Sequence, residues 1–286
     1  NKRMNKDINV TIKDLESVGY FASEYIVDAL NSALVLNKPL LIEGPAGSGK
    51  TWLAKALSIL MDWNLIRLQS HEGIDEDKAL YEWNYRKQLL SLQSEIDEKK
   101  KIENIFSEEF LIERPILQAL RSKQTSLLLI DEVDRADEEM EALLLEVLAE
   151  DQVTIPELGT ITGSNNFHTI LTSNSTRELS DALKRRCIYL YLDFPEIDRE
   201  ALILRNHIEG LDKDESEKIA SLASYIRKLN IQKPPSIAEV IDWLSYVWSR
   251  NYNLKENNLE RNIGILIKNN NDQKVVLEEI ENFNSK

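Results

Sequence analysis

Hydrophobic positions fall into two regimes along the chain, and the change between them lies near Pro195. Before that point, short aliphatic runs alternate with stretches of helical period. Ile26, Leu30, Ala33 and Leu34 place one apolar face on a helix over residues 23–36. A short apolar strand over 39–43 follows, then a glycine-rich turn, then Leu53, Ala56, Leu57 and Leu60 at helical spacing. Residues 64–69 and 126–131 read as further strands, the second a continuous aliphatic run suited to a sheet covered on both faces. Met140, Leu143, Leu144, Val147 and Leu148 mark an amphipathic helix, and residues 152–162 read as a β-hairpin turning at Glu157-Leu158-Gly159. Strands over 167–173 and 187–193 complete the set.

After Phe194-Pro195 only helical periods remain. Ile219, Leu222, Ala223 and Ile226 line one helix. Ile237, Val240, Ile241, Leu244 and Trp248 line another, opened by a Ser236-x-x-Glu239 capping box behind Pro234-Pro235. The pattern predicts an α/β core with a parallel sheet, then an all-helical part. The expected division is an N-terminal segment over 1–18, a core over 19–195 and a helical domain over 196–286.

Composition narrows the classes. The 286 residues, 42% hydrophobic and 29% charged, are those of an ordinary soluble protein of one large or two modest domains. No apolar run approaches the roughly 18 residues of a membrane span, and residues 1–7 lack the apolar core of a signal peptide. A single cysteine, Cys187, excludes an internal disulfide framework and fits a reducing cytoplasm. The net charge of −14 argues against general nucleic-acid binding. The mixed-sign run over 97–101 reads as a solvated helix end.

Two motifs carry chemistry. Gly44-Pro45-Ala46-Gly47-Ser48-Gly49-Lys50-Thr51 satisfies G-x-x-x-x-G-K-[ST], between an expected strand and an expected helix. Its glycines allow backbone N–H groups to turn toward phosphate oxygens, and the helix N-terminus adds its dipole. Lys50 is placed to reach the β- and γ-phosphates of ATP, and the Thr51 hydroxyl to ligate Mg2+. The pattern arises by chance in about 1% of chains this long, so it identifies a nucleotide site. Downstream, an aliphatic strand ends in Asp131-Glu132, at the sheet edge where open α/β sheets bind ligands. Asp131 there suits a metal held through water, and Glu132 a general base for the attacking water. Two carboxylates capping the next helix are the alternative. The P-loop some 80 residues upstream favours the catalytic reading.

The order of P-loop, Asp-Glu strand, hairpin, Thr172-Ser173-Asn174 strand end and Lys184-Arg185-Arg186 helix end resembles the MoxR branch of AAA+ ATPases. Stretches such as RLQSHEGIDEDKALYEWNYRKQLL and LLLIDEVDRADEEMEALLLEVL are similar to CoxD-like members, associated with maturation of carbon monoxide dehydrogenase-type molybdenum enzymes. The resemblance runs from about Gly19 to Trp243. It implies a core with a five-stranded parallel sheet sandwiched by helices, a helix-2 insert over about 79–93, a β-hairpin before the sensor strand, and a small all-α lid. It implies a homo-oligomeric, hexameric ring of cytoplasmic ATPase subunits acting as a chaperone. Its partners would be a protein client, such as a molybdenum hydroxylase or another metalloenzyme, and a von Willebrand factor A-type protein. The alternatives are a motor subunit of a nucleic-acid machine and a non-hydrolysing nucleotide switch.

By the same resemblance, Asn174 takes the polar sensor position, with a strand-end turn residue as the alternative. Arg185 and Arg186 stand where such rings carry the arginine finger, although a helix C-terminus also favours basic residues for its dipole. Gly19 and Tyr20 fall where the family packs adenine; a turn with a core aromatic is the alternative. Trp52 is placed with the nucleotide-binding residues that end the P-loop segment, although by type it reads as a packing residue, as do Trp63, Trp243 and Trp248. Tyr81, Trp83 and Tyr85 in the insert are either a client-gripping aromatic group or a buried cluster. The lid departs from the family. A Ser-Pro-Arg-like turn with a sensor arginine is replaced by Lys233-Pro234-Pro235-Ser236, in which Ser236 reads as an N-cap; Lys233 as a point-charge substitute is the alternative, without a bidentate fork. His71, His168 and His207 lack metal-ligand spacing, and Cys187 reads as a core residue.

Overall fold

The computed structural model describes residues 8–71, 76–94, 105–163, 166–250 and 259–283. The mixed-sign run over 97–101 and the polar N-terminal residues 1–7 lie outside them. The chain forms two compact units. One comprises Asn1–Val18, Ala22–Gly44 and Lys50–Tyr191; the other comprises Gly19–Phe21, Pro45–Gly49 and Leu192–Lys286. No helix among the described residues is long and apolar enough to cross a membrane.

The first unit is built on five parallel strands: β1 (Leu40–Glu43), β2 (Asn64–Gln69), β5 (Ser126–Asp131), β8 (Phe167–Ser173) and β9 (Ile188–Tyr191). Their order is β2-β5-β8-β1-β9. Every residue of β5 is buried, which the unbroken aliphatic run requires of a strand lying between two others and covered on both faces. Edge strand β2 alternates instead. The register sets Gln69 opposite Asp131 and Glu43 opposite Ser173, so the carboxyl ends of four strands meet at one edge. Helices α1 (Ile12–Ser17), α2 (Glu24–Leu36) and α3 (Lys50–Leu60) belong to this unit. Helix α2 starts one residue after Ser23, its N-cap, and ends at Asn37, which adopts the left-handed conformation.

The expected insert holds more than helix. After α4 (Glu76–Ala79), strand β3 (Tyr81–Trp83) pairs antiparallel with β4 (Leu111–Glu113), and α5 (Tyr85–Ser94) lies between them in sequence. Three-residue strands are too short to show a period of two, which is why the pattern missed them. Tyr81 and Trp83 are buried and pack edge to face, with Phe106 against Trp83. The aromatic group of the insert is thus a small core, and only Tyr85, 64% exposed, remains available at a surface. Helices α6 (Pro115–Arg121) and α7 (Glu138–Glu150) follow, with the hairpin of β6 (Gln152–Ile155) and β7 (Gly159–Thr162) after α7. Gly159 turns that hairpin at φ +79°. Helix α8 (Asp181–Arg186) then leads into β9. Cys187, just before β9, is buried, and burial pushes its thiol up to about 12, as a core residue requires. Trp63 is half-buried and stacks on His168, whose burial lowers its pKa to about 4 and keeps it neutral.

The second unit contains α9 (Ile197–His207), α10 (Lys213–Arg227), α11 (Ile237–Ser249), α12 (Leu259–Leu266) and α13 (Asn270–Phe283). Ser236 caps α11 in the expected box with Glu239, and Asp212 caps α10. Arg227 and Glu200 form a bidentate pair at 2.6 and 2.8 Å, with both side chains buried. Arg227 also stacks over Phe194 and donates to the Pro235 carbonyl at 2.8 Å. One guanidinium thus ties α9 and α10 to the turn that starts α11.

Removing one partner of this pair should be costly. Glu200→Ala strands a buried guanidinium and is expected to lose about 3–5 kcal/mol, whereas an apolar Glu200→Leu/Arg227→Met pair should recover much of it. Urea unfolding followed by circular dichroism checks this. A single-mutant loss under about 1 kcal/mol, the range of an exposed pair, would show that the buried pair does not brace the unit.

Candidate nucleotide site

Asp131 gathers the site. Its Oδ1 accepts hydrogen bonds from the Thr51 hydroxyl at 2.9 Å and the Thr172 hydroxyl at 2.9 Å. Its Oδ2 accepts Nε of Arg67 at 2.7 Å, with Nη2 at 2.6 Å. Thr51 opens α3, Thr172 ends β8 and Arg67 lies on β2, so three elements converge on the end of β5. Lys50 is buried and donates to the Gly44 carbonyl at 2.8 Å. Burial lowers its pKa, opposed by the charges of Asp134, Glu132 and Asp131. Three carboxylates therefore face one ammonium.

Glu132 follows in the left-handed conformation, φ 54°. Its N–H donates to the Thr172 hydroxyl at 3.0 Å, and its carboxylate pairs with Nε of Arg135 at 3.1 Å. Thr172 therefore serves both acidic residues, accepting from one and donating to the other. Asp134 is a site residue that the motif reading missed. Burial alone would raise its carboxyl, but hydrogen bonds from the Thr176 side chain, the Thr176 N–H and the Asn174 N–H outweigh it and hold the pKa low. The strand end carrying Asn174 is thereby clamped to the turn after Asp131-Glu132. Glu141 adds a second clamp, accepting from Arg177 and from the Ser180 N–H at 3.1 Å. Ser180 is the N-cap of α8, the helix bearing Arg185 and Arg186. The signal for Asp134 was the second Asp in Asp131-Glu132-Val133-Asp134, which spacing alone cannot distinguish from a helix-capping acid.

Arg185 and Arg186 are both exposed at the end of α8. Arg186 bonds back to the Ala182 carbonyl at 3.2 Å. The structure brings Asn174 to the Asp131-Glu132 turn but does not bring either arginine to it. Trp52 is 41% exposed, which corrects its reading as a packing residue. The buried face of α3 is made by Leu53, Ala54, Ala56 and Leu57, and Trp52 lies off it.

Within the helical unit, the loop residues 45–49 meet the start of α11. The Ile237 N–H donates to the Gly47 carbonyl at 3.2 Å, and a Cβ at Gly47 would fall 2.1 Å from that of Ser236. Gly47 is at φ +79°, so glycine is demanded here twice, by backbone conformation and by space. The neighbouring Ser48 hydroxyl is buried without a protein partner. Tyr20, in the same unit, is 6% exposed, and burial raises its pKa to about 12. At Gly19-Tyr20 the structure shows a turn, Gly19 at φ +81°, with a core aromatic. Ser236 is the N-cap, and the Lys233 N–H donates to Asp272 at 2.9 Å.

A hydroxyl and a carboxylate held together suit a hard, oxygen-seeking cation. Among the described residues no three His, Cys, Asp or Glu cluster as a metal cage. A Mg2+ ion shared between one or two protein oxygens and substrate phosphates needs none.

A fold with this sheet order, loop and acidic strand end is that of a P-loop ATPase. The model of the AAA domain family, dynein-related subfamily, matches residues 39–187, just over half the chain, and the protein belongs to that family. It is 26% identical over 204 residues to the gas vesicle ATPase GvpN of Haloferax mediterranei, a match covering 68% of this chain and 58% of that relative. An uncharacterized protein of Staphylococcus saprophyticus is 26% identical over 215 residues, covering 73% of this chain and 76% of the relative. Among solved structures, a lysine-to-arginine mutant of Thermotoga maritima RuvB aligns with a TM-score of 0.49 at 18% identity, covering 82% of this chain and 62% of that one.

Asp134→Ala should test the clamp. Releasing the Asn174 and Thr176 N–H groups is expected to cost about 1–3 kcal/mol of stability. It should lower kcat roughly 10- to 100-fold with little change in nucleotide affinity, because the strand end carrying Asn174 loses its place beside the Asp131-Glu132 turn. Steady-state ATPase kinetics beside a fluorescent-nucleotide titration measure both, and an unchanged kcat would reduce Asp134 to a fold residue.

Proposed function

We propose that the protein is a Mg2+-dependent AAA+ ATPase of the MoxR-like type, acting in a ring to remodel a protein client. The observation that carries this reading is the Thr51–Asp131 contact at 2.9 Å, with Glu132 next in the chain. Thr51 and Asp131 would hold the ion, which supplies neutralisation of phosphate charge. Lys50 binds the β- and γ-phosphates, and the backbone of residues 44–49 cradles them. Glu132 takes a proton from the attacking water, and Asn174 orients that water. In the structure Glu132 rests on Arg135, so it must leave that pair to act as base. The names of the relatives as ATPases favour hydrolysis over passive nucleotide holding.

The acidic surface favours a protein over a nucleic-acid client. The resemblance to CoxD-like members supports a metalloenzyme client delivered with a von Willebrand factor A-type partner. Arg185 is the finger candidate with the freer side chain, since Arg186 is engaged with its own helix. Acting in trans, it completes the site of the next subunit.

Glu132→Gln should bind ATP as the wild type does and hydrolyse it at least 10²-fold more slowly, since the amide accepts no proton. Turnover near wild type would remove Glu132 from the chemistry. Adding duplex DNA should leave the wild-type rate unchanged; stimulation would favour a nucleic-acid motor.

Assembly is tested by mixing. Arg185→Ala should lower hydrolysis roughly 10³-fold with binding intact, and Lys50→Ala should abolish ATP binding. Mixed in one oligomer, checked by light scattering, the two should recover part of the activity at interfaces that pair a working P-loop with a working finger. Assembled mixtures with no recovery, or a dilute monomer at full rate, would defeat the ring reading.

A further inference from the structure

The acidic pair at the end of β5 is matched by two arginines, and one sits on the candidate metal ligand itself. Arg67 directs both Nε and Nη2 at the single oxygen Oδ2 of Asp131, at 2.7 and 2.6 Å. The other oxygen, Oδ1, is already taken by the hydroxyls of Thr51 and Thr172. Asp131 is therefore fully satisfied without a cation, and the guanidinium supplies the positive charge a divalent ion would bring. The arrangement follows from register. Gln69 stands opposite Asp131 across β2 and β5, and Arg67, two residues earlier, shares its face. The Gln69 amide oxygen accepts Nη2 at 3.0 Å and holds the guanidinium in place. Asp131 is 2% exposed, whereas the Arg67 side chain is 49% exposed on an edge strand. One partner is buried, and the other borders open solvent.

We propose that Arg67 is a built-in counter-ion that competes with the metal for Asp131, so that loading the site requires its release. This rests on the nucleotide-site reading above. A buried carboxylate left unpaired would be expensive, and Arg67 removes that cost while the site is empty of metal. The same contact lowers metal affinity, because a charge-assisted pair must break before Oδ2 can turn to an ion or its water. Metal loading is then coupled to the phosphates: the ion alone competes poorly, and the ion delivered with nucleotide competes well. Arg67 is a positioning residue in this scheme and touches no reacting atom.

The test is Mn2+ affinity, read from the electron paramagnetic resonance signal of free Mn2+, with and without saturating ATPγS. Arg67→Ala should bind Mn2+ about tenfold more tightly in the absence of nucleotide, as expected on removing a charge-assisted competitor. The gap should narrow when ATPγS is present. Arg67→Lys, a point charge without the fork, should fall between the two. Gln69→Ala, which loosens the guanidinium while leaving Asp131 and its arginine intact, should shift affinity in the same direction by less. It decides the matter if Arg67→Ala does not fold. Unchanged or weaker Mn2+ binding in the folded variants would overturn the proposal and make Arg67 a residue that orients Asp131 for the metal. Nucleotide affinity, measured separately with a fluorescent analogue in EDTA, tests the underlying site. Its absence in the wild type would count against the nucleotide reading, and the Mn2+ comparison would still decide the competition at Asp131.

Discussion

The satisfied carboxylate of Asp131 is the constraint around which the first unit is arranged. A charge delivered by a fully buried strand must be paired or it destabilises the fold. Here three side chains from three elements do the pairing: Thr51 from α3, Thr172 from β8 and Arg67 from β2. Each contact fixes the end of its own element against β5. The same contacts that make burial tolerable therefore align the P-loop helix, β8 and β2 with the acidic strand end.

From that point the order spreads along the backbone. Glu132 adopts a left-handed conformation, held by its N–H bond to Thr172. The short turn after it presents Asp134 to the backbone beyond Ser173, and α7, which follows, presents Glu141 to the N-cap of α8. Two buried carboxylates thus carry the position of the acidic turn into the segment that ends with Arg185 and Arg186. A change at the acidic turn, such as Glu132 leaving Arg135, has a covalent and hydrogen-bonded route to that helix. In the helical unit, the buried Glu200–Arg227 pair plays a comparable part. It fixes the Pro234-Pro235 turn so that α11 begins against the Gly47 carbonyl. The backbone before that turn is held as well, by the Lys233 N–H donating to Asp272.

Much of this was legible in the residues. The five strands of the sheet, the hairpin and the helices α10 and α11 followed from periodicity, because long buried runs and amphipathic faces leave patterns many residues wide; α9, α12 and α13 were not read individually. The P-loop was legible for a different reason: its glycines answer a local backbone demand, and Gly47 meets that demand at φ +79°. The Ser236–Glu239 box was legible because a capping box is closed by two residues three apart.

What only tertiary structure decided has a common physical cause, contact between residues distant in sequence. Arg67 carries no motif, and its pairing depends on the register that sets its neighbour Gln69 opposite Asp131. Asp134 was one more acid near a helix start until Asn174 and Thr176 came to it from 40 and 42 residues away. Tyr81 and Trp83 gave no sign whether they faced solvent, because that depended on β4, some 30 residues on, closing beside them. The sequence by itself determined the long strands, the amphipathic helices with wide apolar faces, and which residue types could bind phosphate and activate water. The fold decided which charges neutralise one another, because side-chain pairing depends on strand register and helix placement, and no local pattern encodes either.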